Sequence, residues 1–128
     1  MPPHLYRTPL VLVVAALATG LTASPAPAGE LPTRTVETTV VLNARNQLVM
    51  RGDVTPGLAG LEVVVQRKDC RKATCAWKVW ERLDARSQGR FRSRIEAPRH
   101  GSDYYRARVP QHHGYATSYS RVWRTWTD

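Results

Sequence analysis

Cysteine is scarce in this chain: Cys70 and Cys75 are the only two among 128 residues. A zinc site built on cysteine needs more soft ligands than one pair supplies. A redox-active pair usually has two intervening residues, whereas four separate these two. The pair therefore predicts a structural disulfide between Cys70 and Cys75 that closes a short loop.

Long hydrophobic runs are scarce as well. The one such run, residues 10–17, follows a start with a single charge, Arg7, and precedes a stretch of small residues that ends at Ala28. The run is too short to span a bilayer, and its flanks are typical of a secretory signal peptide. We therefore expect a cleaved signal peptide over 1–28, a linker over 29–35 and a secreted, extracellular domain over 36–128 with no transmembrane segment.

Patterns of catalytic or metal-binding residues are missing after residue 28. The three histidines there, His100, His112 and His113, fall in predicted loops. No further ligands with zinc-site spacing accompany them, and on extended backbone the side chains of His112 and His113 would diverge. No serine has the context of a nucleophile elbow, and the acidic residues are not grouped as a catalytic pair. We expect a protein that is not an enzyme and that holds no metal and no cofactor.

A sustained helical period is also absent, and short alternating segments separated by turn formers take its place. Five strands are predicted from these alternating segments, and two more are predicted from Trp77 to Leu83 and from about Tyr119 to Trp126. Seven short strands in about 100 residues predict an all-β fold, a single β-sandwich of antiparallel strands. The residues expected to face inward are Val36, Thr38, Val40, Leu42, Leu48, Met50, Gly52, Val54, Leu61, Val63, Val65, Phe91, Ser93, Ile95, Tyr105, Ala107 and Val109.

Turn glycines and core aromatic residues carry a family resemblance. The segments concerned are Gly52-Asp53-Val54 with Pro56–Gly60, Val63, Val65, Gln66 and Arg67; Trp77–Trp80 with Gly89-Arg90-Phe91; Tyr105–Pro110; and Gly114-Tyr115-Ala116 with Ser118-Tyr119-Ser120. Together they resemble the immunoglobulin-like domains of secreted and surface proteins of Gram-positive bacteria. The resemblance implies an immunoglobulin-like β-sandwich. Its motifs are structural and imply little about function.

One local feature agrees with this resemblance, and another departs from it. The sequence Asp103-Tyr104-Tyr105 predicts a tyrosine corner, in which the Tyr105 hydroxyl bonds to an upstream backbone group. The predicted disulfide lies between the third and fourth strands and is not part of the general family pattern. It suggests that the tip of this hairpin is stiffened.

Arginine dominates the charge of the chain. The formal net charge is +9, and only three of the 19 basic residues are lysine. The planar fork of arginine suits carboxylates, phosphates and sulfates. Evenly scattered charges would need no ligand, whereas a concentrated set would attract polyanions.

Sandwich topology would concentrate part of this charge, because strands three, four, six and seven share a sheet in folds of this type. Further cations would lie at the disulfide-closed tip. The candidate anion-binding residues are Arg67, Lys68, Arg71, Lys72, Lys78, Arg106, Arg108 and Arg121. The opposite sheet would carry Arg90, Arg92 and Arg94, so charge could also surround the molecule.

The aromatic residues add to this prediction. One of Trp77 and Trp80 is expected in the core, whereas Trp123 and Trp126 should point to opposite faces of their strand. An exposed tryptophan beside arginine can stack on sugars or bases. We expect a secreted binding or adhesion module whose partner is an anionic cell-wall polymer or an acidic glycan. Two alternatives stay open: an inhibitor or effector that binds a protein partner through the stiffened tip, and a structural domain without a ligand.

Overall fold

The computed structural model describes residues 30–128, so the predicted signal peptide over 1–28 lies outside the described residues. No helix in this part of the chain is long and apolar enough to cross a membrane. A 3-10 turn spans Ser87–Gly89. The strands are β1 (Thr35–Leu42), β2 (Leu48–Thr55), β3 (Glu62–Lys68), β4 (Lys78–Asp84), β5 (Arg90–Ile95), β6 (Gly101–Val109), β7 (Ser118–Tyr119) and β8 (Trp123–Thr127).

These strands form two antiparallel sheets around one core. The first sheet has the order β1-β2-β5. The second has the order β4-β3-β6-β7, with β8 also paired to β6. The prediction of an all-β fold is therefore confirmed, and the two sheets have the arrangement of a β-sandwich.

The last predicted strand is interrupted in the middle. β7 pairs with the end of β6 at Arg108 and Val109, and β8 pairs with its beginning. Between them, the backbone N–H of Ser120 donates to the Ala107 carbonyl at 2.9 Å. The Ala107 N–H donates in turn to the Ser120 hydroxyl at 2.8 Å. The Ser120 hydroxyl thus takes the place of a backbone carbonyl in the hydrogen-bond ladder. β7 and β8 together therefore occupy one strand position beside β6.

The alternating pattern correctly identifies most of the core. Buried residues from both sheets meet between them: Val36, Met50, Val54, Leu61, Val63, Val65, Phe91, Ile95, Tyr105, Ala107 and Val109. Leu42 is an exception, because it lies at the end of β1 and is 61% exposed. Alternation thus fixes the inner face of each strand but does not show where the partner sheet ends.

Val64 shows the opposite discrepancy. Alternation with Val63 and Val65 places it on the outer face of the sheet, and its register position agrees, yet it is fully buried. Its neighbours across the sheet are Arg82 on β4 and Arg108 on β6. Long arginine side chains bury their apolar stems along a sheet while the charge stays in water. These stems explain the burial of a valine outside the core.

A β-bulge in β4 decides which tryptophan enters the core. Val65 pairs with Glu81 but Gln66 pairs with Val79, so Trp80 is the additional residue. Trp80 packs against the core, and its indole N–H donates to the Arg94 carbonyl at 2.9 Å. The prediction that one of the two tryptophans is a core residue is confirmed, and that residue is Trp80.

The tyrosine corner is present as predicted. The buried Tyr105 hydroxyl donates to the Glu96 carbonyl at 2.9 Å and accepts from the Glu96 N–H at 3.3 Å. Burial raises the pKa of Tyr105 above its usual value, although the Glu96 hydrogen bond and the Arg67 charge oppose this effect. The corner joins the loop after β5 to the inner face of β6.

The end of the predicted linker packs against the domain. Thr33 forms a parallel bridge with Ala116, and the Arg34 N–H donates to the Ser118 hydroxyl at 2.8 Å. Arg34 is 5% exposed and lies over the Tyr115 ring at 4.3 Å. Residues 33–35 therefore belong to the folded unit.

Candidate anion-binding surface

The outer face of the five-stranded sheet brings three of the candidate cations together. Lys68 lies opposite Tyr104, Gln66 opposite Arg106, and Val64 opposite Arg108. Residues at alternate positions of one strand point to the same side of a sheet. Lys68, Arg106 and Arg108 therefore share one face, which also carries Trp77, Tyr119 and Arg124. We call these six residues the stacking face.

Arg106 lies at the centre of the stacking face, between two aromatic rings. Its guanidinium carbon is 4.3 Å from the ring centre of Trp77 and 4.2 Å from that of Tyr119. Its Nε donates to the Gln66 side-chain oxygen at 2.8 Å. Such cation–π contacts each contribute about 0.5–2 kcal/mol, depending on how far they are desolvated. The rings and Gln66 thus hold the guanidinium in one orientation.

This enclosure changes the electrostatics of Arg106. Burial lowers its pKa from the usual value; Tyr119 opposes this effect, and the neighbouring charge of Arg108 adds to it. Guanidinium remains charged at neutral pH. With Nε engaged, the remaining N–H groups at the edge of the guanidinium are the ones that can donate to an anion. A cation held in this way loses less conformational entropy on binding than a free surface arginine.

A second cation–aromatic group lies at the other end of the same face. Arg124 pairs with Tyr104 across the sheet, donates from Nε to the Ser102 hydroxyl at 2.8 Å and lies 5.4 Å from the Trp126 ring. Trp126 is 60% exposed, whereas Trp123 packs against the core. The prediction that these tryptophans face opposite sides is confirmed, and Trp126 is the one available for stacking.

The tip between β3 and β4 borders this face. The Cys70–Cys75 disulfide is present, as predicted, with the Cα atoms 6.1 Å apart. Arg71 and Lys72 are exposed in the loop that it closes. A small cleft of about 420 Å³ lies between Arg71, Tyr104, Val122 and Arg124. The cleft places the tip cation Arg71 next to the Arg124 end of the stacking face.

Three of the eight candidate cations lie elsewhere. Arg67 is on the inner side, where its guanidinium is 3.1 Å from the buried Asp103 carboxylate. Lys78 pairs with Arg67 across the strands and so faces that same side. Arg121 lies 4.3 Å above the Trp123 ring and borders the other sheet.

The stacking face carries more free cations than acids. Arg82 forms an ion pair with Glu62 at 3.0 Å at the margin of this face. Among the described residues, Lys68, Arg106, Arg108 and Arg124 have no carboxylate within 4.0 Å. Four of the exposed large apolar residues also lie on this side of the sheet: Val79, Tyr119, Val122 and Trp126.

Sequence reasoning missed Arg124 and the two rings around Arg106. Arg124 could have been found, because it alternates with Trp126 and so shares its face. Nothing in the linear pattern could place Trp77 and Tyr119, which is 42 residues further along the chain, on either side of Arg106. Their placement depends on how β4 and β7 lie on either side of β3 and β6.

The described residues include no group of three or more histidine, cysteine or acidic side chains placed to hold a metal ion. One detail of the histidine prediction is wrong. The rings of His112 and His113 do not diverge; their centres are 3.6 Å apart. His113 has a positive φ of 47° within a tight turn, so the extended geometry assumed for the pair does not apply. What the stacking face offers a ligand is its cations and its aromatic rings.

Comparison with known proteins adds no relative. No protein-family model, curated protein or solved structure matches this chain. Fold and surface chemistry therefore carry the functional argument.

Proposed function

We propose that this chain is a secreted, non-catalytic binding module that contacts an anionic polymer of the cell envelope through the stacking face. The ligand class is a polymer bearing phosphate, sulfate or carboxylate groups, such as an anionic wall polymer or an acidic glycan. The free cations of the face would contact the anionic groups, and its exposed rings would pack against the sugar or backbone units between them.

The observation that carries this proposal is the Arg106 site. A half-buried arginine clamped between Trp77 and Tyr119 has lost hydration and side-chain freedom before any ligand arrives. An anion that binds to the edge of the guanidinium would replace the lost water contacts with charge-assisted hydrogen bonds. A surface arginine with only a solubility role does not need two rings and a glutamine to orient it.

The test is retention of residues 29–128, with the disulfide intact, on immobilised envelope polymer and on heparin. Several simultaneous cation contacts should hold the protein well above about 0.15 M salt, because screening weakens each contact only gradually. Elution at or below that salt concentration contradicts the proposal. Retention on the wall polymer alone points to phosphate groups, and retention on heparin alone points to sulfated or carboxylated glycan.

The matched variants are Arg106→Gln and Arg45→Gln, which remove the same charge. Arg45 is exposed in the β1–β2 turn, away from the stacking face. We expect R106Q to elute at clearly lower salt and R45Q to elute close to the wild-type protein. Equal shifts for both would mean that only net charge matters, and the stacking face would lose its role.

We also propose that the β-sandwich has immunoglobulin-like topology. The strand order β1-β2-β5 against β4-β3-β6-β7 is the one expected if the resemblance to bacterial immunoglobulin-like domains is correct, with the fourth strand paired to the third. The Tyr105 corner supports this assignment. The Cys70–Cys75 disulfide supports export, because such bonds persist in oxidising compartments.

A second candidate function is binding of a protein partner through the disulfide-closed tip. The cleft between Arg71, Tyr104, Val122 and Arg124 favours it, because arginine and aromatic residues are enriched at protein interfaces. The double variant Arg71→Glu/Lys72→Glu separates the two functions. Polymer retention should weaken gradually, whereas a protein complex centred on the tip should be lost abruptly.

A further inference from the structure

The outer face of the three-stranded sheet carries a wide groove. It has a volume of about 870 Å³ and crosses β1, β2 and β5. Five of the residues that line it are arginines, which come from β2, from β5 and from two flanking loops: Arg51, Arg86, Arg90, Arg92 and Arg121. We call this feature the arginine groove.

Few acids balance these charges. The groove is lined by two carboxylates, Glu37 and Asp53, against the five arginines. Of these five arginines, only Arg90 has a carboxylate of the described residues within 4.0 Å, and the distance from its Nε to the Asp53 carboxylate is a long 3.8 Å. The groove therefore keeps a net positive charge.

Two of these arginines are also placed where their positive charges repel each other. Arg51 and Arg92 lie directly opposite each other on β2 and β5, and like charges in that position destabilise a sheet. An anion between the two guanidinium groups would remove the repulsion and gain forked hydrogen bonds.

The arginine groove and the stacking face point in opposite directions. Each lies on the outer side of its sheet, and the two sheets pack with their inner faces about 10 Å apart. A single straight segment of polymer therefore cannot occupy both surfaces. Two separate segments can.

We propose that the arginine groove is a second anion-binding site, so that one chain holds two strands of the same anionic polymer and cross-links them. This inference rests on the proposed function of the stacking face. The ligand is the same class of anionic polymer. The inference adds a second binding site and therefore bivalent binding. Cross-linking of long polymers follows from two sites whose geometry prevents one segment from filling both.

The experiment uses inorganic polyphosphate as the probe. A short, uniform polyphosphate that cannot reach around the domain reports stoichiometry in calorimetric titration, and a long polyphosphate reports cross-linking by light scattering. The groove variant is Arg51→Gln/Arg92→Gln, the face variant is Arg106→Gln/Arg108→Gln, and the control is Arg45→Gln/Arg99→Gln. The control arginines are exposed in loops and line neither surface. All three double variants lose the same charge.

The wild-type protein and the control should bind two short chains and scatter light strongly with the long polymer. Each of the other variants should bind one short chain and lose most of the scattering. The groove variant should also melt at or above the wild-type temperature, because it no longer opposes two like charges. This melting measurement separates loss of a site from loss of folding.

The outcomes distinguish this inference from the proposed function. If the groove variant still binds two short chains and cross-links, the groove is not a site, and the stacking face is unaffected. One bound chain in the wild-type protein likewise overturns bivalency alone. If the face variant behaves as wild type while the groove variant binds nothing, the stacking face fails and the groove is the single site. If the wild-type protein binds no polyphosphate, the inference of a second site is overturned, and the proposed function of the stacking face is then decided by retention on wall polymer and heparin.

Discussion

The guanidinium of Arg67 lies 3.1 Å from the carboxylate of Asp103, on the inner side of the five-stranded sheet. The Asp103 side chain is 3% exposed, and among the described residues Arg67 is its only ion-pair partner. Arg67 also lies 5.4 Å from the Trp80 ring. The charge of Arg67 therefore compensates a buried acid inside the fold and is not free for a ligand.

The first prediction concerns this pair. Arg67→Met leaves the Asp103 carboxylate buried without its cation, and we expect a loss of about 2 kcal/mol in the free energy of unfolding. This value is below that of a fully buried pair because Arg67 is partly exposed and screened. Urea denaturation measures the loss. The control Arg45→Met should change stability by less than about 0.5 kcal/mol, and equal effects of both variants would contradict the assigned role.

The second prediction concerns pH and the tyrosine corner. Burial raises the pKa of Tyr105 above its ordinary value of 10.0, so the folded state binds the phenol proton more tightly than the unfolded chain does. This contribution to stability is complete below pH 10.0 and declines as pH rises past that value. Urea denaturation across this range should show the decline.

The variant Tyr105→Phe tests the source of that decline. It should cost about 1 kcal/mol at neutral pH, because the Glu96 backbone groups lose their partner. Its stability should also fall less steeply above pH 10. The matched control is Tyr104→Phe, on the outer face, which should retain the wild-type slope. An unchanged slope in Y105F would show that other groups cause the alkaline loss.

The third prediction concerns Gly52 on β2. A β-carbon there would overlap the Phe91 ring, because that ring packs directly over the glycine backbone. Gly52→Ala should therefore destabilise the domain by about 1–3 kcal/mol through overpacking. Adding Phe91→Leu should recover part of the loss, since a smaller side chain leaves room for the methyl group. A double variant with simply additive losses would contradict this explanation.

The fourth prediction concerns the disulfide. Replacing both Cys70 and Cys75 by serine should lower the free energy of unfolding by about 2 kcal/mol, the contribution expected for so short a loop. The fold should persist, because the tip lies outside the core. Chemical denaturation of the variant and of the reduced wild-type protein should agree. Unfolding of either protein at room temperature would show that the tip supports the sandwich itself.

The sequence identified the inner faces of the strands because a strand alternates with period two and burial selects one face. Continuing the alternation from Val63 and Val65 would also have placed Arg67 on the inner side. The position of Lys78 could not be read in this way. The bulge at Trp80 reverses the faces of the residues before it, and a bulge is a property of two paired strands.

An all-β chain, a pair of cysteines that bond to each other and an excess charge carried mostly by arginine could all be predicted from the amino-acid sequence. Those properties follow from local periodicity and composition. Which cations lie together depends on the three-dimensional fold. It enclosed Arg106 between Trp77 and Tyr119, paired Arg67 with Asp103 and placed Arg51 opposite Arg92. The physical reason is that the environment of a charge depends on strand order and register, which bring together residues far apart in the chain.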